Sequence, residues 1–375
     1  MPAKSSSSTS GPQPKPRTGA ADGRPTAHFG GRLATDLLEV VDLTQSPDAL
    51  DGGGWWVLAG TFEGRLTAYR FADVRRSPLP APSGPWADDA SGPDRGSWHS
   101  SLDHAGYLAG VRAIREKIAA GDVYQVNLCR MLSTPLPVGS DPLALAARLF
   151  RGNPAPYQGF LDTGSDWAVT ASPELFLSRA GDEVTSSPVK GTTGPGEDFA
   201  AKDFPENIMI TDLVRNDLGR IARAGSVKVT RLAEREEHPG LAHLVSTVRA
   251  QLRPKVGWKA LLAATFPPGS VSGAPKHTAL QAISQLEPVP RGLYCGVLGY
   301  VDADRDEAVL AVGIRTFFTD TLGGARRLNF GTGAGITYAS DPEGEWRETE
   351  LKAARLVGLA SERPAESPHL DTVQQ

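Results

Sequence analysis

Four apolar residues, Leu108, Val111, Ile114 and Ile118, recur at helical spacing and share one face. Asp103 is placed to cap the start of that helix and Gly121 to end it. Residues 123–132 and 166–190 alternate as strands, with Ala180-Gly181-Asp182 as a turn, and an earlier strand-like segment includes Trp55, Trp56, Val57 and Leu58. Pro205 opens a second predicted helix with Met209, Leu213 and Ile221 among its apolar positions, stopping near Gly225. A third runs from Pro275 to Leu286 and is broken by Pro288. Residues 291–338 hold three strand-like runs, LYCGVLGYV, AVLAVGIRTFF and RRLNFGTGAGITY. A last helix begins near Ser340, which has capping-box spacing to Glu343. Long groups of strands interspersed with helices predict an α+β domain with large antiparallel sheets, not a doubly wound parallel one.

Outside these elements, residues 1–27 are rich in Ser, Pro and Gly and read as a disordered leader, without the apolar core of a secretory signal. The stretch 75–97 reads as a loop. A content of 40% hydrophobic and 22% charged residues is that of a soluble globular protein, and 375 residues can bury one large core or two ordinary ones. The formal charge of −4 gives no overall pull toward nucleic acid or acidic membranes. A small anionic substrate would have to be held by a few local donors and a metal. The two cysteines, Cys129 and Cys295, cannot make a disulfide framework, and no apolar run approaches the ~20 residues of a membrane helix. A cytoplasmic location is the expectation.

Two helix starts carry acids three residues apart, Asp203 with Glu206 and Glu345 with Glu348. That spacing puts each pair on one helical face, where like charges repel unless a cation lies between them. An all-oxygen donor set favours Mg²⁺ or Ca²⁺ over zinc, although two solvated helix starts account for the spacing more simply. Lys190 in SSPVKGTTGPG and Glu174 in ASPELFL face each other across the proposed hairpin. They could act as nucleophile and proton donor, or form a surface salt bridge. PPGSVSGAPK and GTGAGITY could present backbone N–H groups to a carboxylate, and neither matches a nucleotide-binding pattern. Arg315 in GIRTF is read as a strand arginine, either exposed or gripping a carboxylate.

Taken together, GDVYQVNL, SPELFL, PVKGT, ENIMITDLVRNDLGRIA, HLVSTV, FPPGSVSGAPK, RGLYCGVLGY, AVGIRT and GAGITYASDPEGEWRETELKA resemble, in order, the chorismate-binding enzymes. That family includes anthranilate synthase component I, aminodeoxychorismate synthase component I, and the isochorismate and salicylate synthases. The resemblance implies two packed antiparallel sheets with helices outside. It divides the chain into a leader over 1–27, a shortened N-terminal subdomain over 28–100, a catalytic domain over 103–362 and a flexible tail over 363–375. It implies Mg²⁺ held by Glu206 and Glu348, supported by Asp203 and Glu345. Substrate contacts are implied for Thr192, Gly273, Tyr300, Arg315, Gly333, Ala334, Gly335 and Lys352, with catalytic roles for Lys190, Glu174 and His243.

Within the family, water-adding members carry a lysine at the position of Gln125, and glutamine cannot take a proton from water. Anthranilate synthases typically have alanine where Lys190 stands, whereas a lysine inside PVKGT marks many aminodeoxychorismate synthases. The implied reaction replaces the 4-hydroxyl of chorismate by an amino group, for 4-aminobenzoate and folate synthesis. Anthranilate formation is the second reading, and a non-catalytic chorismate-binding regulatory subunit the third. Neither cysteine sits in a nucleophile-elbow context, so ammonia is expected from a separate glutamine amidotransferase subunit. Where relatives usually read KDRAEN, this chain reads KDFPEN, so Phe204 and Pro205 replace an arginine and an alanine.

Overall fold

The computed structural model describes residues 24–82, 86–87, 92–194, 196–238 and 241–361. In chain order it opens with β1 (Thr26–Phe29), β2 (Arg32–Asp42), β3 (Trp55–Gly60), β4 (Leu66–Arg76) and β5 (His99–Ser100). Helix α1 (His104–Ala119) leads into β6 (Gln125–Pro135), and α2 (Pro142–Gly152) into β7 (Tyr157–Asp162), β8 (Trp167–Ser172), β9 (Leu175–Ala180), β10 (Glu183–Ser187) and β11 (Val189–Thr193). Next come α3 (Asp203–Gly219), β12 (Lys228–His238), β13 (Leu241–Gln251), α4 (Trp258–Thr265), β14 (Gly273–Ala274) and α5 (Lys276–Leu286). The chain closes with β15 (Val297–Asp302), β16 (Glu307–Val312), β17 (Thr316–Leu322), β18 (Ala325–Ile336) and α6 (Pro342–Ala360).

All strand pairings are antiparallel among the described residues, as the α+β reading requires. One arm of the ladder runs β12, β13, β10, β9, β16, β15, β3, β4, β2. The other runs β7, β8, β17, β18, β6. Strand β1 pairs with both β2 and β7, so the two sheets are arms of one continuous ladder. They share a core to which Leu58, Val297 and Leu310 come from the first arm and Val126, Leu128 and Ile336 from the second. A smaller cluster, with Leu145, Leu149, Trp167, Phe317 and Leu356, seats α2 and α6 on the second arm.

Local chemistry explains where the elements begin and end. Asp103 caps α1 by accepting from Gly106 N–H at 2.7 Å. Helix α3 starts at Asp203, before Pro205, and stops at Gly219, so Ile221 lies beyond it. A proline is tolerated in the first turn because its missing N–H would have no intrahelical partner there. At α6 the capping residue is Asp341, which accepts from Gly344 N–H at 2.8 Å, while Ser340 Oγ accepts from Thr337 N–H instead. The run AVLAVGIRTFF splits into β16 and β17, and Arg315, at φ +52°, lies in the break rather than on a strand. Gly313 abuts the Leu293 carbonyl, where a Cβ would collide, so the chain turns tightly just before Arg315. Strand β1 begins at Thr26, inside the stretch read as leader; residues 1–23 and 363–375 lie outside the described residues. No helix among the described residues is long and apolar enough to cross a membrane.

Candidate active site

A cavity of about 370 Å³ opens between β6, β11, β18 and the starts of α3 and α6. Glu174, Lys190, Thr192, Asp203, Glu206, His243, Arg315, Gly333, Gly335, Glu348 and Lys352 all line it. On β18, Gly331, Gly333 and Gly335 line the cavity with Phe330 and Thr332 beside them, and Ala334 lies in the core, 2% exposed. A Cβ on Gly335 would collide with Gln125 Nε2 and Glu206 Oε1, so its bare backbone is what lets these groups meet Lys190.

Lysines compensate the acids. Lys190 Nζ lies 2.7 Å from Glu206 Oε1 and donates to Asn127 Oδ1 at 3.2 Å, and Gln125 Nε2 donates to the same Glu206 oxygen. Lys202 Nζ is 2.6 Å from Glu345 Oε1 and 3.8 Å from Glu348 Oε2, and Lys352 Nζ is 2.6 Å from Glu348 Oε1. Burial pushes the Glu348 carboxyl up, but Lys352, Lys202 and Lys190 outweigh it and hold it at about 2. Glu174 is the opposite case: burial raises it to about 7 against a hydrogen bond from Ser270 and the nearby charge of Lys190. It therefore carries a proton near neutrality that an exposed glutamate would have lost.

On the other wall, Arg315 donates to His243 Nε2 at 3.0 Å, and His243 Nδ1 meets Thr192 Oγ1 at 3.0 Å. A guanidinium can only donate, so Nε2 is the acceptor and the ring proton sits on Nδ1, directed at Thr192. Burial, with Arg355 nearby, lowers Arg315 to about 10, yet leaves it charged at neutral pH. An arginine held this way suits a carboxylate.

The donor set fits a hard dication. Its atoms are carboxylate oxygens, and Glu345 Oε2 is buried without a hydrogen-bond partner. Among the described residues, however, no three His, Cys, Asp or Glu side chains converge into a ready cage. Each of Glu206, Glu345 and Glu348 is instead held by a lysine.

Four of the expected site residues lie off the cavity wall. Glu345 reaches the cluster only through Lys202, and Ala334 faces the core. Gly273 sits on β14 at φ +142°, where a Cβ would strike the Gln125 carbonyl, so it serves close packing against β6. Tyr300 does not line the cavity: its ring stacks on Trp55 at 5.7 Å beneath Arg32. The tyrosine on the wall is Tyr294 of the same RGLYCGVLGY segment, just ahead of β15. Asn127, Lys202 and Ser270 also line the cavity, and none had a sequence signal beyond lying inside or beside a motif. Glu174 precedes β9 and Lys190 is on β11; β9 pairs with β10 as far as Leu175 opposite Ser187, and the Val189 N–H donates to the Glu174 carboxyl, so the two meet at the end of that hairpin.

Residues 80–358 match the sequence pattern of the family described as chorismate binding enzyme. The chain belongs to that family. This chorismate-binding family member is 37% identical over 300 residues to anthranilate synthase component 1 of Streptomyces coelicolor, covering 76% of this chain and 57% of the relative. It is 40% identical over 271 residues to aminodeoxychorismate synthase of Streptomyces griseus, covering 68% of this chain and 36% of the relative. The chain thus spans between 36% and 61% of the length of the curated relatives it matches. Its fold resembles that of anthranilate synthase component I from Streptococcus pneumoniae, with a TM-score of 0.71 at 23% identity over 92% of this chain and 95% of that one.

Proposed function

We propose that this chorismate-binding family member is an aminodeoxychorismate synthase component I. It would convert chorismate and ammonia to 4-amino-4-deoxychorismate. The observation that carries this reading is Lys190: a primary amine inside the cavity, facing a glutamate that keeps its proton near pH 7.

In this reading the Lys190 amine, freed of its extra proton, adds to C2 of the ring as the C1=C2 and C5=C6 double bonds shift to C1=C6 and C4=C5 and the C4–O bond breaks. Glu174 gives its proton to the departing 4-hydroxyl, which leaves as water. Ammonia then attacks C4 and expels the lysine from C2, restoring the diene, and the enolpyruvyl group is retained. Arg315 and Tyr294 would hold the enolpyruvyl carboxylate, and the backbone of Gly333 and Gly335 the ring carboxylate. Glu206 and Glu348, backed by Asp203 and Glu345, would hold Mg²⁺, which supplies positive charge opposite the ring carboxylate. Ammonia would come from a glutamine amidotransferase subunit, and the product would feed 4-aminobenzoate and folate synthesis in the cytoplasm.

A second reading, anthranilate synthase component I, is favoured by the Streptomyces coelicolor relative. Incubating the chain with chorismate, Mg²⁺ and ammonia separates the two. Pyruvate release with fluorescent anthranilate would reject the first reading, and an amino product without pyruvate would reject the second.

A further inference from the structure

Three lysines face the acid cluster, and they are not held alike. Lys190 is 9% exposed in its side chain and has Asn127 as a partner besides Glu206. Lys352 donates to the Gly333 carbonyl at 3.1 Å besides pairing with Glu348 on its own helix. Lys202 differs in position and in partners. It stands just before α3, where no side-chain cap fixes the chain, and it reaches across to the start of α6. Among the described residues it pairs with the two glutamates, and its side chain is 27% exposed against 2% for Glu345.

The charges make this difference consequential. Asp203, Glu206, Glu345 and Glu348 bring four carboxylates, and Lys190, Lys202 and Lys352 bring three ammonium groups. A dication entering such a nearly balanced cluster gains little and is repelled by every lysine that stays. A buried acid left without a cation is also costly, so the cluster cannot simply lack one. Lys202 meets only one oxygen of Glu345; the other is buried outside hydrogen-bonding geometry, and besides Lys202 the Ser340 hydroxyl acts on this carboxyl.

We propose that Lys202 is a tethered counter-ion that occupies the cation position between Glu345 and Glu348 and swings out to solvent when a divalent cation binds. This rests on the magnesium site proposed above. The chain then carries a built-in competitor for its own metal: Lys202 keeps the metal-free site from repelling itself and weakens metal affinity by the same interaction. The other two lysines stay, because each keeps a protein partner that the metal does not take.

The test is direct Mg²⁺ binding to the full chain without chorismate, by titration calorimetry, beside thermal unfolding with and without Mg²⁺. Lys202→Met removes the competing charge and is expected to bind Mg²⁺ roughly tenfold tighter or more than the unsubstituted chain. Its metal-free midpoint should fall and be restored by Mg²⁺. Lys202→Arg keeps the charge and should bind as the unsubstituted chain does. Should the methionine variant fail to fold, Lys202→Gln, which keeps a donor for Glu345, is expected to give the same tightening. Equal or weaker binding in the neutral variants, with Glu348→Gln still weakening binding, leaves the metal site standing and overturns the role of Lys202. No Mg²⁺ binding in any variant overturns the magnesium reading and this inference together.

Discussion

Lys190 Nζ and Glu206 Oε1 lie 2.7 Å apart with both side chains under a tenth exposed, so the proposed nucleophile and a proposed metal ligand are each other's counter-ion. Removing one member of a buried pair leaves an uncompensated charge and typically costs about 3–5 kcal/mol, whereas removing both can be nearly neutral. Lys190→Met is therefore expected to lower stability by that order and to reduce ammonia-dependent amination at least a thousandfold. The double variant Lys190→Met with Glu206→Gln should regain most of the stability and none of the activity. Denaturant unfolding and a product assay on the two variants and the unsubstituted chain check this. Amination surviving in Lys190→Met would reject the covalent route.

Glu174 makes the pH dependence specific. As a proton donor it acts only while protonated, so kcat/KM should fall as pH rises through about 7. The same shift bears on stability. The folded group sits near 7 against an ordinary 4.5, so its contribution is complete below about 4.5 and is lost as pH rises toward 7. Glu174→Gln removes the donor, keeps the shape and should cost ~10²–10⁴ in kcat. It should also flatten the stability profile between pH 4.5 and 7. An unchanged basic limb in that variant would assign the proton to another group.

The α+β class, α1 with its Asp103 cap, and strands β8, β9 and β10 with the turn that joins the last two were legible because they follow from local periodicity and turn chemistry. Helix α2 was not read, although Asp141 caps its start by accepting from Leu143 N–H and Pro142 opens it; from Pro142 to Leu149 its residues are buried. The site divides the same way. The acids of α3 and α6 are separated by more than a hundred residues, and spacing alone could not say that they meet; the motif resemblance could. Arg291 shows the limit of both. Almost fully buried, it pairs with Glu287 and donates to the carbonyls of Val271 and Asn127, tying the loop behind the cavity to β6. Arg291 opens the RGLYCGVLGY motif, yet a side chain that works by satisfying distant backbone carbonyls leaves that role unmarked in sequence.

Gly335 supplies the third prediction. A methyl group there would press on Gln125, Glu206 and Lys190 together, at the one point where the three converge. Gly335→Ala is expected to lower kcat/KM at least a hundredfold, because misplacing reacting groups by an ångström is that costly. Steady-state kinetics on this variant, beside thermal unfolding to check its fold, test the expectation. Near-normal turnover in Gly335→Ala would mean that this convergence is not the reacting geometry.

The two tyrosines of RGLYCGVLGY offer the fourth. Tyr294 is on the cavity wall, 5% exposed, in front of Gly331, whereas Tyr300 is engaged with Trp55 and Arg32 and does not line the cavity. Tyr294→Phe deletes only a hydroxyl, so packing survives and the loss should appear in substrate binding. A hydrogen bond to a charged carboxylate contributes about 1.5–3 kcal/mol, which predicts a rise in KM for chorismate of roughly ten- to a hundredfold. Tyr300→Phe keeps the stacked ring and removes nothing from the cavity, so its KM should stay within about twofold. Measuring KM for both variants at saturating ammonia and Mg²⁺ decides between them. A large effect in Tyr300→Phe with none in Tyr294→Phe would place the substrate carboxylate against the other tyrosine, outside this cavity.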